Sequence, residues 1–446
     1  MNITERFLRS IEKVAEKEIP ETALIRAKRS LLDYIAVTTA GAKANGARLK
    51  QYFAEASPEP GNCTLIGSGQ KTNLKEAVFV NGLNAHALDL DDGTNSGIIH
   101  LGSPIFSVLI PLAEKHRISI RKMIQAAIVG YETSYTMAVS IQPVHKALGY
   151  HATGTCGVLG IAMAVSYMLD LTFAERRNAF ATAAVSATGM LKVLDAGSEL
   201  KPYNVAKSAL LGLIATQMAK AGFIGHHDVL GGDRGFLKMM TGSENIELCK
   251  PLLDGTYAIE KSYTKPYAAC RYCHPAIEAA ILLGKSADVD KIQAIVVRTY
   301  DLAVGGHDHT DIQGINSAKM SIPYGVAVGL LAGKAGLIEY DEEHVNDPAV
   351  LELAKKVKVQ GDAGFSAQFP RTQSALVSIR LLNGQEISKQ IDYPKGEPEN
   401  PMTDEEFEER FMDLMEYGGC TTEKGRQIIE ICNDLDKSAA DISAIF

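Results

Sequence analysis

Acid–base side chains are most concentrated between His86 and His100. Three carboxylates, Asp89, Asp91 and Asp92, lie between these two histidines. Carboxylates packed so closely disfavour one another's charge unless they are solvated, paired or used. Asp89 and Asp92 are predicted to share one face of a helix end, with Asp91 pointing elsewhere. The alternatives are an acid–base site and a solvated acidic helix end. A metal site is disfavoured, because no second set of His or Glu residues has ligand-like spacing.

His151 is a second candidate and lies in the glycine-rich segment 149–157 (GYHATGTCG), just before a very apolar stretch. We expect it near the N-terminus of a helix, where the dipole favours bound anions and a neutral imidazole. A neutral imidazole can act as a base, and the alternative is a capping or core histidine. The spacing of Gly154, Gly157 and Gly160 does not match the dinucleotide-binding fingerprint, and no strand precedes them.

Two further segments carry reactive side chains without completing a known motif. Ser198 and Lys201 have the Ser-x-x-Lys spacing of penicillin-recognising enzymes, but the partner motifs are missing. Lys201 is therefore a cation in a sparsely charged region. Cys270, Cys273 and His274 match the c-type haem attachment pattern. One Cys-x-x-Cys pair is a poor zinc site, and haem attachment belongs outside the cytosol, so neither haem nor metal is predicted.

Composition limits the class of protein. The chain has 446 residues, of which 46% are hydrophobic and 22% charged, as in a soluble globular protein of two or three domains. The net charge is −8, so the chain lacks the excess of basic residues that is typical of a nucleic-acid-binding protein. The 7 scattered cysteines suggest the reduced thiols of a cytoplasmic protein. The N-terminal segment MNITERFLRS does not resemble a signal peptide. The longest apolar run, of about 13 residues, is too short to cross a membrane.

Helical periodicity dominates the first part of the chain. A helix is predicted from Glu21 to Ala40 with Gly41 ending it, because apolar positions recur at three- and four-residue steps. Segments with broad apolar surfaces follow and should form a large all-α core. The predicted helices are 75–90, 105–116, 121–140, 155–169, 173–190 and 203–221.

The pattern changes after about Lys261. Strands are predicted at 292–300 and 357–359, and alternating residues at 375–381 predict a third strand. The following Asn-Gly pair at Asn383 indicates a two-residue hairpin of type I′. A helix containing Ile322, Val326 and Leu330 is expected between the first two strands.

The proline-rich segment 393–402 is the clearest linker in the chain. Thr403 and Glu406 form a capping box for a helix to about Met415, and a last helix is predicted at 422–434. These helices are expected to rejoin the helical core. The fold class is therefore mainly α: residues 1–260 and 397–446 form a helical domain, and residues 261–396 form an inserted α/β domain.

Taken together, these segments resemble the MmgE/PrpD family, whose members include 2-methylcitrate dehydratase, cis-aconitate decarboxylase and iminodisuccinate epimerase. The matching pieces occur in family order over nearly the whole chain. They are residues 31–33 (LLD), 81–92 (NGLNAHALDLDD), 100–104 (HLGSP), 151–157 (HATGTCG), 201–202 (KP), 231–236 (GGDRGF), 265–275 (KPYAACRYCHP), 318–324 (AKMSIPY) and 400–403 (NPMT).

The resemblance implies a large helical domain with a smaller α/β lid, a homodimer and a reaction without a cofactor or metal. It also implies a substrate with two or three carboxylates and an active site between the domains. The matching positions in this chain are Asp89, His100, His151, Lys201 and the segment 270–274.

The family reactions share proton transfer at a carbon next to a carboxylate, which needs an acid and a base. His100 and His151 are the candidates for these two roles, and Asp89 would orient an imidazole. Lys201 and Arg271 would clamp carboxylates. Further substrate-binding candidates are Asp92, Tyr150, Cys270 and His274.

Dehydration or decarboxylation of a citrate-like acid is the leading expectation, with epimerisation as the alternative. A non-catalytic helical scaffold and a metal or haem binder are the contrasting classes. The chain departs from the family pattern at Gly93 and Thr94 after the aspartates and at Leu101 after His100, which leaves the exact substrate open.

Overall fold

The computed structural model describes residues 1–194, 198–252 and 254–446, which divide into two compact units. The first unit contains Met1–Leu194, Leu200–Ser262 and Asp404–Phe446. The second contains Tyr263–Thr403 and residues 198–199. The proline-rich segment stays with the second unit, where the amide of Thr264 donates to the carbonyl of Gly396 at 2.9 Å.

The first unit is helical apart from one pair of two-residue strands, β1 (Cys63–Thr64) and β2 (Lys71–Thr72). Its helices before the second unit are α1 (Ile3–Ala15), α2 (Glu21–Ala44), α3 (Gly46–Ala56), α4 (Leu74–His86), α5 (Gly102–His116), α6 (Ile120–Ile141), α7 (Val144–Ala147), α8 (Ala152–Met168), α9 (Phe173–Val185), α10 (Lys201–Lys220) and α11 (Phe236–Thr241).

Helix α8 forms the centre of this unit. It packs against α5, α6, α9 and α10, and nearly all of its residues are buried. Small residues permit this close packing: a Cβ added at Gly160 would lie 1.9 Å from the Ser134 hydroxyl oxygen of α6. The predicted buried helix at 155–169 is confirmed. Among the described residues, no helix has both the length and the hydrophobicity that a membrane crossing requires.

Helix α2 corrects one sequence prediction. Gly41 does not end the helix, which continues to Ala44. A Cβ at Gly41 would lie 2.0 Å from the backbone oxygen of Asn84 in α4. Gly41 is therefore explained by the close contact between two helices, and its role as a helix terminator was wrongly predicted.

The second unit contains a four-stranded sheet and short helices. Its helices are α12 (His274–Gly284), α13 (Asp301–Val304), α14 (Ile315–Lys319), α15 (Ile322–Ala332), α16 (Pro348–Ala354) and α17 (Ala363–Gln368). Its strands are β3 (Ile292–Thr299), β4 (Val357–Gly361), β5 (Ala375–Leu381) and β6 (Glu386–Ile391), in the spatial order β4-β3-β5-β6. The three predicted strands and the helix containing Ile322 are confirmed. Strands β3 and β4 are parallel, and the other pairs are antiparallel.

The hairpin between β5 and β6 is present, but its turn differs from the predicted type I′. Of the two turn residues, Gly384 alone has a positive φ, of 85°. The amide of Gly384 donates to the carbonyl of Leu381 at 2.9 Å, and the amide of Leu381 donates to Gln385 at 2.8 Å. This is the three-residue loop in which a left-handed glycine follows a turn. Asn383 therefore does not need a left-handed conformation.

Three helices at the end of the chain belong to the first unit: α18 (Asp404–Tyr417), α19 (Thr422–Asn433) and α20 (Ala439–Ser443). The helices predicted at 403–415 and 422–434 are thus present. Helix α18 packs on α2, and its Arg410 donates to the carboxylate of Asp33 at 2.5 Å. Arg410 also donates to the carbonyl of Leu90 at 3.0 Å, so a residue near the end of the chain holds the loop that contains Asp89 and Asp91.

Candidate active site

The candidate site begins where α4 ends. The helix stops at His86, so Asp89 and Asp92 lie in a loop and do not share a helix face as the sequence suggested. Asp89 has a φ of 54°, in the left-handed region that aspartate tolerates better than most residues. The loop brings the carboxylates to different partners, which resolves the charge crowding noted in the sequence.

Asp91 contacts both histidines of this region. Its Oδ1 lies 2.7 Å from Nδ1 of His86, and its Oδ2 lies 3.1 Å from Nδ1 of His100. The Ser103 hydroxyl donates to the same Oδ2 at 2.5 Å. Burial alone would raise the pKa of Asp91, but the neighbouring histidines hold this pKa well below its ordinary value. Asp91 is therefore a carboxylate anion at neutral pH.

The tautomer of His100 follows from its acceptors. Its Nδ1 lies 2.8 Å from the backbone oxygen of Asp92 and 3.1 Å from Asp91 Oδ2, and neither oxygen can donate. Nδ1 must then carry the hydrogen, which is assigned from the hydrogen bonds. Nε2 of the neutral ring is left as the basic nitrogen, and it is the atom through which His100 can exchange a proton.

Lys201 is the first residue of α10, and its Nζ lies 2.6 Å from Oδ1 of Asp89. Asp89 was expected to orient an imidazole. In the structure Asp91 makes the imidazole contacts, whereas Asp89 pairs with Lys201, because the turn at Asp89 separates the two carboxylates. Lys201 thus lies in the same cluster as the histidines, as the sequence predicted.

His151 is the N-cap residue of α8, and its imidazole is buried. Burial holds the pKa of His151 well below its ordinary value, and the positive charge of Lys201 and the two nearby histidines act in the same direction. The predicted neutral imidazole at a helix N-terminus is therefore present. The backbone amide of His100 donates to the Thr153 hydroxyl at 3.1 Å, which links the His100 loop to the first turn of α8.

Asp92 and Tyr150 were both predicted to bind substrate. The carboxylate of Asp92 accepts from the amide of Gly102 at 2.7 Å and from the Tyr131 hydroxyl at 2.6 Å. Burial raises the pKa of Asp92 to about 6, although these hydrogen bonds oppose the shift. Asp92 therefore anchors the start of α5, and its substrate-binding role stays a prediction. Tyr150 is half-buried with its ring stacked 5.1 Å from His145, and its substrate-binding role stays a prediction.

Arg271 and His274 in the second unit contact other side chains of that unit, and their substrate-binding roles stay predictions. The buried Arg271 guanidinium forms an ion pair with the buried carboxylate of Glu397, with Nε 2.9 Å from Oε1. It also donates to Nδ1 of His274 at 2.9 Å. Nε2 of His274 donates to the carbonyl of Ala269 at 3.1 Å. Both ring nitrogens of His274 are thus engaged, and Arg271 connects this segment to the proline-rich segment.

Cys270 is half-buried, and its amide donates to the carbonyl of Lys319 at 2.8 Å. Its predicted contact with substrate is not decided by this arrangement and stays a prediction. Neither Cys270 nor Cys273 forms a disulfide.

Sequence reasoning missed His86 and Asp91 as members of the site. One ligand atom each from His86, Asp89 and His100 lies within 4.8 Å of the others, a group that could hold a metal ion. This contradicts the argument that ligand-like spacing is lacking here. The signal was the five-residue separation of His86 and Asp91, which a helix end followed by a turn brings together.

Two family models match the chain. The MmgE/PrpD N-terminal domain matches residues 5–249, and the MmgE/PrpD C-terminal domain matches residues 267–436. The chain is also similar to curated proteins. A cis-aconitate decarboxylase of Aspergillus terreus is 26% identical over 465 residues, covering 98% of this chain and 93% of the relative. The cis-aconitate decarboxylase of Mus musculus is 25% identical, covering 92% and 86%.

A shorter match is to the mitochondrial 2-methylcitrate dehydratase of Yarrowia lipolytica, 26% identical over 176 residues. It covers 36% of this chain and 33% of that protein.

Proposed function

The chain belongs to the MmgE/PrpD family and is an enzyme of its lyase type, and from this premise we propose that it decarboxylates or dehydrates a tricarboxylic or dicarboxylic acid. Similarity to cis-aconitate decarboxylases extends over nearly the whole chain, whereas the similarity to a dehydratase covers part of it. We therefore favour decarboxylation of an unsaturated, aconitate-like acid over dehydration.

The observation that carries the proposal is the unequal environment of two histidines in one cluster. Burial keeps His151 neutral, while His100 has the carboxylate of Asp91 at its Nδ1. An adjacent carboxylate stabilises an imidazolium ion. Environments that separate two titratable groups in this way assign one as acid and the other as base. His100 is the proton donor through Nε2, and His151 is the proton acceptor.

Decarboxylation uses this arrangement directly. Breaking the bond to the departing carboxylate releases CO2 and leaves its electron pair on the carbon skeleton. His100, protonated on both ring nitrogens, gives its Nε2 proton to that carbon and is left as the neutral Nδ1–H ring, to which water then returns a proton. In a dehydration, His151 would take the proton next to the carboxylate and His100 would protonate the leaving hydroxyl. General acid–base catalysis of this kind contributes typically about 10²–10⁴-fold.

Substrate carboxylates need positive charge, and the net charge of the chain is −8. Lys201 supplies an ammonium group at the first position of α10. The first turns of α8 and α10 add amide groups and the positive ends of two helix dipoles. This local charge supports binding of a polyanion. Arg271 is not included, because its side chain is 5% exposed and paired with Glu397, whereas the Lys201 side chain is 16% exposed although it contacts Asp89.

The reaction is tested by NMR of the purified protein in D2O with cis-aconitate, 2-methylcitrate, citrate and a chiral amino-dicarboxylate offered separately. Deuterium incorporation with loss of CO2 from cis-aconitate supports the proposal. Alkene formation from a hydroxy acid would indicate dehydration, and deuterium exchange with racemisation would indicate epimerisation. Turnover that persists after dialysis against a chelator supports a metal-independent reaction.

We further propose a homodimer. Apolar side chains are exposed on the first unit: Val185 is 83%, Ile224 84% and Phe223 58% exposed. A Cβ added at Gly225 would lie 2.5 Å from that of Ala181, so the residue after Ile224 contacts α9, the helix that ends at Val185. A second copy of the chain would cover this surface. Light scattering should give twice the chain mass, and Ile224→Lys with Val185→Lys should lower it; an unchanged mass would place the interface elsewhere.

We also propose a cytoplasmic location, since all 7 cysteines are free thiols and most of them are buried. Fractionation of cells that express the protein tests this, and recovery in a secreted fraction would contradict it.

A further inference from the structure

His86 is the buried titratable group that the proposed reaction leaves unused. It is 1% exposed, its Nδ1 lies 2.7 Å from Asp91 Oδ1, and its Nε2 makes no hydrogen bond to any described residue. Its ring packs edge-on against the ring of His100, with centroids 4.5 Å apart and planes at 69°. His86 therefore touches both the carboxylate that contacts His100 and the His100 ring itself.

The two oxygens of Asp91 divide their partners between the histidines. Oδ1 receives the hydrogen of His86, and Oδ2 receives the hydrogens of His100 and Ser103. A carboxylate held at both oxygens cannot rotate without breaking one contact. The donor on His86 thus fixes the plane in which Asp91 presents Oδ2 to His100.

His86 and Asp91 also differ in charge at neutral pH, because the imidazole is neutral and the carboxylate is ionised. Burial lowers the pKa of His86 to about 4, and although Asp91 raises this pKa, the positive charges of Lys201 and protonated His100 lower it further. His151 of α8 and Asp89 of the same loop are the other titratable groups near the cluster. At neutral pH His86 is a neutral donor, and the negative charge of Asp91 remains available to His100.

We propose that His86 is a positioning residue that locks Asp91, so that Asp91 keeps a hydrogen on Nδ1 of His100 and leaves Nε2 as the nitrogen that gives up and regains the transferred proton. This inference rests on the proposed role of His100 as the acid. It assigns a function to a histidine that would otherwise be a buried group with an unsatisfied nitrogen.

A bound metal ion is the competing explanation of the same geometry. His86, Asp89 and His100 could supply three ligands, with Asp91 behind both imidazoles in the manner of carboxylate–histidine–metal sites. Against it, the Lys201 ammonium lies 2.6 Å from Asp89 and provides a positive charge at that carboxylate. The two explanations differ in what removal of His86 should do.

The test compares His86→Leu, which removes the donor, with His86→Asn, whose side-chain NH2 can replace the Nδ1 hydrogen. In His86→Leu we expect kcat to fall about 10²-fold, the loss typical of a small misplacement of a catalytic group, with KM within about twofold. His86→Asn should recover at least about tenfold of the lost kcat. His344→Leu, which removes a half-exposed histidine paired with Asp341, is the control for histidine loss elsewhere.

A measurement without substrate separates this inference from the proposed function. Imidazole 15N NMR, assigned with His100→Gln, should show the same Nδ1 chemical shift of His100 in the parent and in His86→Asn. In His86→Leu this shift should change, because the contact with Asp91 Oδ2 is then weakened while the Asp92 carbonyl still accepts the Nδ1 hydrogen. Unchanged kcat and an unchanged Nδ1 shift in His86→Leu would overturn the inference. Stoichiometric metal in the purified protein that is lost in His86→Leu would also overturn it and favour the metal site. If the NMR result holds but no candidate acid is turned over, the proposed function fails and the positioning role stands.

Discussion

Arg271 and Lys201 are both cations, but their surroundings differ. Arg271 pairs with a buried carboxylate of the second unit, whereas Lys201 lies beside the histidines of the candidate site. Arg271→Met leaves the carboxylate of Glu397 buried without its partner, since both side chains are nearly inaccessible, at 5% and 4% exposure. Removing one member of a buried ion pair costs about 3–5 kcal/mol. We therefore expect Arg271→Met to act through stability of the second unit.

The assay is urea unfolding followed by circular dichroism, combined with steady-state kinetics below the transition. The transition that reports the second unit should lose about 3–5 kcal/mol of unfolding free energy in Arg271→Met. The double variant with Glu397→Gln should recover part of that loss, because the unpaired charge is then gone. In Lys201→Met, kcat/KM should fall by about 10- to 100-fold, the loss of one charge-assisted hydrogen bond of about 1.5–3 kcal/mol.

These expectations are refuted if Arg271→Met changes substrate binding without changing stability, or if Lys201→Met leaves the kinetics unchanged. An Arg271→Met protein with the parent's urea transition and a KM raised more than about tenfold would restore Arg271 as a carboxylate clamp. Lys201→Met with kcat/KM within about twofold of the parent would remove Lys201 from substrate binding. Lys207→Met is the matched lysine control on the same helix, since its ammonium bonds to the Thr188 hydroxyl at 2.6 Å.

Three further outcomes are expected. His100→Ala and His151→Ala should each stay folded and lose about 10²-fold or more of kcat in the decarboxylation assay, and near-normal turnover would exclude that residue from proton transfer. Burial raises the pKa of Asp92 from 3.8 to about 6, so the protonated carboxyl group stabilises the folded protein at low pH. This stabilisation is lost as the pH rises from 4 to 6. Between pH 4 and pH 6, the unfolding free energy of Asp92→Asn in urea should therefore fall by about 2 kcal/mol less than that of the parent, and parallel pH curves would contradict this. Arg410→Gln should lower the unfolding free energy by about 3–5 kcal/mol, because Asp33 is then buried unpaired, and an unchanged urea midpoint would argue against it.

The helices and strands could largely be predicted, because long apolar runs with helical spacing and alternating runs each admit few structures. The failures have local physical causes. From the sequence alone, Gly41 resembles the glycine that ends a helix. In the structure, a glycine is needed there because the backbone of Asn84 in a neighbouring helix leaves no room for a Cβ atom. The Asn-Gly pair does form a hairpin turn, but only Gly384 is left-handed, whereas the predicted type I′ turn needs two left-handed residues.

The sequence identified candidate residues for the site, but the contacts that these residues make could not be predicted from it. His100, His151 and Lys201 do converge on one cluster. Pairings depend on side chains far apart in the sequence: Glu397 is 126 residues from Arg271, and no local pattern connects them. The imidazole contacts expected of Asp89 are made by Asp91, because the backbone turns at Asp89, where φ is 54°.

The central claim is that His100 donates the proton to a carbon that has lost CO2, and one measurement tests it most directly. Cis-aconitate is incubated in D2O with the parent and with His100→Gln, and the product is followed by 1H and 13C NMR. The parent should release CO2 and incorporate one deuterium per product molecule, and His100→Gln should do so about 10²-fold more slowly while still binding the acid. Equal rates in the two proteins, or no CO2 release by the parent, would contradict the account.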